Sequence, residues 1–426
     1  MKEAALEAEV ERQLAVIRTG TQELVNETEL RARLAESIRS SRPLRVKLGM
    51  DPSAPDLHLG HTVVLEKLRN FQELGHLPIF LIGDFTARIG DPTGKKKTRP
   101  ALAQDEVRRN AETYVDQVRR ILDVERASIR YNGEWMDPMG PADFVRLCSH
   151  YSVARLLERD DFAKRYAAGE SIALHELLYP LVQAYDSVAL RADVEIGGTD
   201  QLFNLLVGRE IQRDYGQPPQ VVLTHSLLVG IDGREKMSKS LGNTIGITDP
   251  PAEMYGRLMS ISDTLMLDYL GLLGFGRWGD LDAGAAEVRR GGGDPLALKH
   301  TLAFRIVERF HGREAAERAG EQFRRVIQRK EEPEDAPEVA LSVGPDGGMR
   351  LLELLRSALQ IPSNAEARRL VAQGAVRLDG EVVRDGNARL SPGAYRLRVG
   401  RRFARVRLRG IADSPEGSSG THSDRS

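Results

Sequence analysis

The chain of 426 residues has one cysteine, Cys148. An internal disulfide is therefore impossible, and no cysteine cluster exists to hold zinc or an iron–sulfur centre. Aromatic residues are scarce. Long apolar runs are missing too: the longest, such as residues 78–82, fall far short of the roughly 20 needed to span a bilayer. The N-terminal MKEAALEAEV is acidic and lacks the basic-then-apolar order of a secretory signal, so a cytoplasmic location is expected. Excess charge of either sign is also absent. The formal net charge of −1 argues against a chain that coats nucleic acid along its whole length.

What is present is unevenly distributed. Residues 349–410 carry 14 arginines, no lysine and five acids, a net of +9, which leaves −10 on the remainder. A basic module on an acidic body is the electrostatic outline of an RNA-handling enzyme. The length exceeds one ordinary domain, and 41% apolar residues suffice for two or three real cores.

Residues 1 to about 42 show Leu and Val at helical spacing and are expected to be helical throughout. The period then changes. Arg45-Val46-Lys47-Leu48 reads as a strand, followed by a Gly- and Pro-rich loop and a helix over about residues 62–74. Gly75 stops that helix, and residues 78–82 read as a second, buried strand. Strand, loop, helix, strand is a βαβ unit and implies a parallel sheet. Further strands are expected at residues 128–131, 194–196 and 221–224.

The expected class is α/β: a Rossmann-type parallel-sheet domain over 1–240, with N-terminal helices and a helical insertion at about 105–190. A helical domain over 241–330 follows. The acidic, Pro- and Gly-rich stretch 331–348 reads as a linker. A small basic α+β domain over 349–412 comes next, with two short helices, the second capped by Ser363 ahead of Glu366. Strands around an Asp379-Gly380 hairpin follow, and residues 413–426 read as a disordered tail.

Two motifs carry chemistry. Pro55-Asp56-Leu57-His58-Leu59-Gly60-His61 lies between the first strand and its helix, where free backbone N–H groups and the positive helix end favour phosphate. His58 and His61 can both face that phosphate, with Gly60 letting a ligand approach, and their donors would stabilise charge on a triphosphate attacked at its α-phosphorus. Alone, such a pair could equally be two surface histidines beside a helix cap. Lys236-Met237-Ser238-Lys239-Ser240 follows the last strand. Its two ammonium groups can swing onto a leaving pyrophosphate, although a lone lysine pair in a loop is usually a solvated face.

Together, the HxGH and KMSKS motifs resemble the paired signature of class I aminoacyl-tRNA synthetases. Within that class the sequence resembles the bacterial tyrosyl-tRNA synthetases, through residues 83–94 (GDFTARIGDPTG), 179–186 (YPLVQAYD) and 197–201 (GGTDQ). The resemblance implies that Tyr179, Gln183 and Asp91 hold the α-ammonium of the amino acid, that Asp186 accepts a hydrogen bond from the phenol, and that Gln201 orients the carboxylate. It implies that Asp200 and Gly198 bind the ATP ribose, with Gly49, Asp51, Gly60 and Lys239 completing the nucleotide site. Lys95 and Arg99 would clamp the triphosphate. Many family members carry a Tyr against the phenol where this chain has Lys47; another branch shares the Lys. Asp186 is thus the better single candidate for specificity.

The basic C-terminal module resembles the small RNA-binding fold first named for a small-subunit ribosomal protein. Arg356, Arg368, Arg369 and Arg377 are its candidate RNA contacts, and Arg396 to Arg409 occupy alternating strand positions, a density that suits phosphate contact. The implied function is a tyrosine–tRNA ligase taking ATP with Mg2+, L-tyrosine and tRNA(Tyr), without a prosthetic group, dedicated metal site or membrane contact. A homodimer through residues 110–170 is implied by the family. The tryptophanyl sister enzymes share the paired motifs but typically lack the basic module. A small nucleotidylyltransferase would be much shorter, and an RNA-binding regulator would have no use for pyrophosphate lysines.

Overall fold

The computed structural model describes residues 3–91, 104–274, 278–325, 336–343, 347–400 and 402–410. Lys95, Arg99 and the 413–426 tail lie outside them. The chain divides into two compact units, residues 1–316 and 317–426, so the boundary expected near residue 240 falls inside the first.

The first unit is built on six strands: β1 (Glu23–Val25), β2 (Arg45–Met50), β3 (Leu77–Ile82), β4 (Ser128–Tyr131), β5 (Val194–Gly198) and β6 (Val221–His225), in the order β1-β6-β5-β2-β3-β4. Every pairing is parallel except β1 with β6. Strands such as β3 and β6 are buried along nearly their whole length, as a parallel sheet covered on both faces requires. The strands expected from the sequence are all present.

β1 corrects the all-helical reading of the N-terminus. Gly20 at φ +71° follows the Glu3–Arg18 helix. Asn26, left-handed at φ 69°, caps the Glu27–Ser40 helix by accepting from the Glu29 N–H. Between these two breaks Leu24 and Val25 are free to extend, and they cover the edge of β6 that would otherwise stand open.

From β2 the chain crosses to β3 in one direction, and from β5 it crosses to β6 in the other. A crevice therefore opens at the carboxyl ends of the adjacent strands β2 and β5, where the order reverses. The Leu59–Glu73 helix follows β2, while the Leu174–Leu190 and Leu202–Asp214 helices flank β5. The remainder of the unit is helical, as expected: Pro251–Ser260, Asp263–Gly274, Gly279–Arg289, Pro295–His311 and Arg313–Phe323, the last running just past the unit's end.

The second unit contains β7 (Glu338–Ser342), β8 (Met349–Arg350), β9 (Val376–Leu378), β10 (Glu381–Val382), β11 (Arg389–Leu390), β12 (Gly393–Val399) and β13 (Arg402–Arg409), with helices Leu351–Leu359 and Asn364–Ala372. Ser363 caps the second helix, accepting from the Glu366 N–H. Asp379 and Gly380 both have positive φ, 51° and 93°, the conformation of a tight two-residue hairpin. On β13, Ala404, Val406 and Leu408 are buried while Arg407 and Arg409 are exposed. The stretch read as a linker is corrected here. Residues 338–342 form β7, parallel to β13 with Glu338 opposite Arg405. Val339 and Leu341 pack against the core, and that alternation overrides the surrounding Pro, Gly and acidic composition.

Candidate active site

The crevice between β2 and β5 holds a cavity of about 220 Å³, lined by His61, Asp91, Tyr179, Gln183, Asp186, Gln201 and the backbone of Gly49 and Gly198, among others. Residues from six sequence segments converge there.

His58 is extended, at φ −127°, and stands at the N-terminus of the Leu59–Glu73 helix; its N–H donates to His61 Nδ1 at 3.2 Å. The two imidazoles stack with centroids 3.8 Å apart. Gly60 makes this possible, since a Cβ there would lie 3.0 Å from the His58 ring. Burial, with His61 and Lys239 adding to it, pushes the His58 pKa down to about 2, so the ring is neutral. His58 Nδ1 is buried without a hydrogen-bond partner. A buried polar atom left open at a helix N-terminus fits a site that an anionic group completes.

The KMSKS loop meets this corner directly. The Leu59 N–H donates to the Ile245 carbonyl at 2.9 Å, and the Ile247 N–H to the Leu57 carbonyl at 3.1 Å. The segment after KMSKS is thus zipped by backbone to the HxGH loop. Met237 is buried, which anchors the middle of the motif and leaves its lysines at the surface. Lys236 sits on Asp200 at 2.8 Å and Lys239 on Asp56 at 2.7 Å. Both pairs are partly exposed, which keeps them weak and easily exchanged for a phosphate.

Deeper in, two hydrogen-bonded groups line the cavity. The Tyr179 hydroxyl donates to Asp51 Oδ2 at 2.9 Å and the Thr86 hydroxyl to Asp51 Oδ1 at 2.6 Å. Gly83 leaves room for this, because a Cβ there would run into both Asp51 and Thr86. Gln201 Nε2 donates to Asp91 at 3.1 Å, and Asn204 Nδ2 bridges Gln183 Oε1 and Gln201 Oε1, each at 3.1 Å. Burial, reinforced by Asp51 and Asp91, raises the Tyr179 phenol well above its ordinary range; it is a neutral donor.

Asp186 occupies the floor and is 2% exposed. Trp135 Nε1 donates to it at 2.9 Å and Asn132 Nδ2 at 3.3 Å. Burial lifts its carboxyl from 3.8 to about 7, opposed by the charge of Lys47 and by these two hydrogen bonds. Lys47 also lines the cavity, but its ammonium is engaged by Glu195 at 2.8 Å.

Sequence reasoning had named the histidines, the lysines and most of the two hydrogen-bonded groups. It had missed Asn132, Trp135, Asn204 and Glu195. Asn132 follows β4 at its carboxyl end, the place where a parallel sheet gathers ligand contacts, and that was the available signal. Asp51, expected at the nucleotide, here holds the Tyr179 hydroxyl.

In the second unit, Arg356 and Arg368 share a groove with Arg350, Gln360, Asn364 and Asn387. Arg369 instead pairs with Glu366 at 2.6 Å, and Arg377 donates to the Gly380 carbonyl of its own hairpin at 2.9 Å. The four candidate arginines are all exposed.

The chain is similar to known proteins along nearly its whole length. The family described as tRNA synthetases class I (W and Y) matches residues 39–328, and the S4 domain family matches residues 349–394. A tyrosine–tRNA ligase of Bordetella pertussis (strain Tohama I) is 53% identical over 409 residues, covering 96% of this chain and 99% of the relative. One from Syntrophotalea carbinolica is 53% identical over 408 residues, covering 94% and 98%. Among solved structures, the tyrosyl-tRNA synthetase of Archaeoglobus fulgidus, complexed with L-tyrosine, superposes with a TM-score of 0.60 at 25% identity, covering 73% of this chain and 99% of that one.

Proposed function

Because the chain belongs to the class I tRNA synthetases of the W and Y group and its activity is that of a tyrosine–tRNA ligase, we propose that L-tyrosine and ATP meet in the cavity above the β2–β5 crevice. The observation that carries this reading is a cavity of amino-acid size lined by the buried carboxylate of Asp186 and by His61 of the HxGH motif, with the segment after KMSKS joined to the HxGH loop by backbone hydrogen bonds.

In this reading the phenol of tyrosine donates to Asp186, which Trp135 and Asn132 hold in place. The α-ammonium sits among Tyr179, Gln183 and Asp91, and Gln201 orients the carboxylate. The ribose of ATP lies at Gly198 and Asp200. Gly198 fits that role because a Cβ there would come within 2.7 Å of Asp200 Oδ1. The tyrosine carboxylate oxygen then bonds to the α-phosphorus as the bond from that phosphorus to pyrophosphate breaks. His58 and His61 face the charge that develops, and Lys236 and Lys239 leave Asp200 and Asp56 for the departing pyrophosphate. In the second step the terminal ribose hydroxyl of tRNA attacks the adenylate carbonyl and AMP departs. No side-chain nucleophile is needed; the catalysis is positioning and charge stabilisation.

Magnesium would accompany the triphosphate. Its ligands would be phosphate oxygens and water. The helices that follow residue 250 and the arginine-rich C-terminal module would carry tRNA, with Arg356 and Arg368 in the groove that suits a phosphate backbone. A homodimer through residues 110–170 would cover the individually exposed apolar side chains Val145, Val153 and Tyr166. No helix among the described residues is long and apolar enough to cross a membrane.

Pyrophosphate exchange measured with each of the twenty amino acids tests the proposal. Exchange supported by tyrosine alone is expected, and exchange driven by tryptophan at a comparable rate would overturn the assignment of Asp186.

A further inference from the structure

Two opposite charges occupy facing positions in the interior of the parallel sheet. Lys47 on β2 stands in register with Glu195 on β5, and neither side chain is more than 2% exposed. Lys47 Nζ lies 2.8 Å from Glu195 Oε1, 2.8 Å from Ser187 Oγ and 3.2 Å from the Gln183 carbonyl. An ammonium has three donors, and these three acceptors take them all. Lys47 borders the substrate cavity but has no N–H left to offer a ligand.

The two helical acceptors are the informative part. Gln183 and Ser187 flank Asp186 on the Leu174–Leu190 helix. One ammonium therefore pins the turn of helix that presents both Gln183 and Asp186. Glu195 completes the brace, accepting from the Ser187 hydroxyl at 3.1 Å and from the Gln220 side-chain amide. Gly208 makes space for it, since a Cβ there would lie 2.7 Å from Gln220 Nε2. β2, β5 and the specificity helix are thus joined through a fully buried polar cluster.

A buried ion pair is poor evidence of net stabilisation, because apolar side chains of similar volume often serve the fold as well or better. Its placement directly behind the substrate cavity calls for another role. We propose that Lys47 and Glu195 are positioning residues for tyrosine recognition: they lock the 183–187 turn against β2 and β5, fixing Asp186 and Gln183 without touching the substrate. The inference rests on Asp186 being the phenol acceptor. The ammonium charge acts in the same sense, since it opposes the burial that favours the protonated Asp186 carboxyl.

The test is the double variant Lys47→Met, Glu195→Gln, which removes both charges without leaving either one buried alone. In pyrophosphate exchange we expect KM for tyrosine to rise by about tenfold or more and the tyrosine-over-phenylalanine preference to fall by a similar factor, with KM for ATP within about twofold of the parent. A parental tyrosine KM and preference would overturn the inference. So would an equal rise in both KM values, which marks a general loosening of the site. If the double variant does not fold, Ser187→Ala, which removes only the hydroxyl between the ammonium and Glu195, should shift the tyrosine KM alone in the same direction by a smaller factor, and an unchanged value overturns the proposal. Asp186→Asn measured in parallel separates the two layers. Loss of preference in Asp186→Asn but not in the double variant defeats only the positioning role, whereas preserved preference in Asp186→Asn defeats the underlying site assignment.

Discussion

Replacing Asp186 with Asn should cost specificity and return stability, and both effects follow from its burial. The carboxylate sits at 2% exposure with hydrogen bonds from Trp135 and Asn132, and an incoming phenol would add a third. A hydrogen bond to a charged group is worth about 1.5–3 kcal/mol. Losing it should lower kcat/KM for tyrosine by roughly 10- to 150-fold while phenylalanine, which has no hydroxyl, is little affected. The pH dependence follows from the carboxyl's position at about 7. The ionised fraction of the free enzyme rises from roughly a tenth at pH 6 to roughly nine tenths at pH 8, so the tyrosine-to-phenylalanine ratio of kcat/KM should climb about tenfold across that window. In Asp186→Asn the ratio should be low and flat.

Stability should move the opposite way. An acid whose folded pKa is raised binds more protons when folded than when unfolded between 3.8 and about 7, so stability falls as pH rises through that window. The displacement corresponds to at most on the order of 4 kcal/mol above pH 7. Asp186→Asn removes this penalty, so the variant should melt above the parent at pH 8, with the gap shrinking toward pH 5. Parallel melting curves together with a pH-independent parental ratio would refute the reasoning.

Three further outcomes are expected. His61→Ala should lower the single-turnover rate of adenylate formation by ~10²-fold or more, since it removes a donor to transition-state charge, with tyrosine affinity by equilibrium binding nearly unchanged; a normal rate with weakened tyrosine binding would be the contrary result. Lys239→Ala should slow adenylate formation but leave preformed adenylate competent for transfer to tRNA, because pyrophosphate has already departed, and a large loss in single-turnover transfer would count against that role. A chain ending near residue 330 keeps the 1–316 unit and every residue assigned to tyrosine and ATP. It should retain pyrophosphate exchange and lose most tRNA charging, most severely at moderate salt, where the remaining contacts are screened as well; parental charging would remove the basic module from the tRNA site.

The sequence by itself determined whatever is encoded between near neighbours. The βαβ period around residues 45–82, the Ser363 cap, the Asp379-Gly380 turn and the arginine alternation on β13 all depend on spacings of a few residues, and they stand in the structure as read. His58, Gly60, His61 and the KMSKS lysines were legible for the same reason, since each motif is a short loop with its own chemistry. β1 and β7 were not. A three-residue strand between two helices, and a strand within Pro-, Gly- and acid-rich sequence, exist because β6 and β13 offer edges to pair with, and an edge is a tertiary object. The partners within the site were hidden by the same logic. That Lys236 rests on Asp200, that Trp135 clasps Asp186 from 51 residues away, and that Lys47 faces Glu195 follow from the strand order β6-β5-β2-β3 and its register. Crossover connections fix that order, and only once it is set do a lysine and a glutamate, each improbable alone in a buried strand, become one neutral pair bordering the cavity.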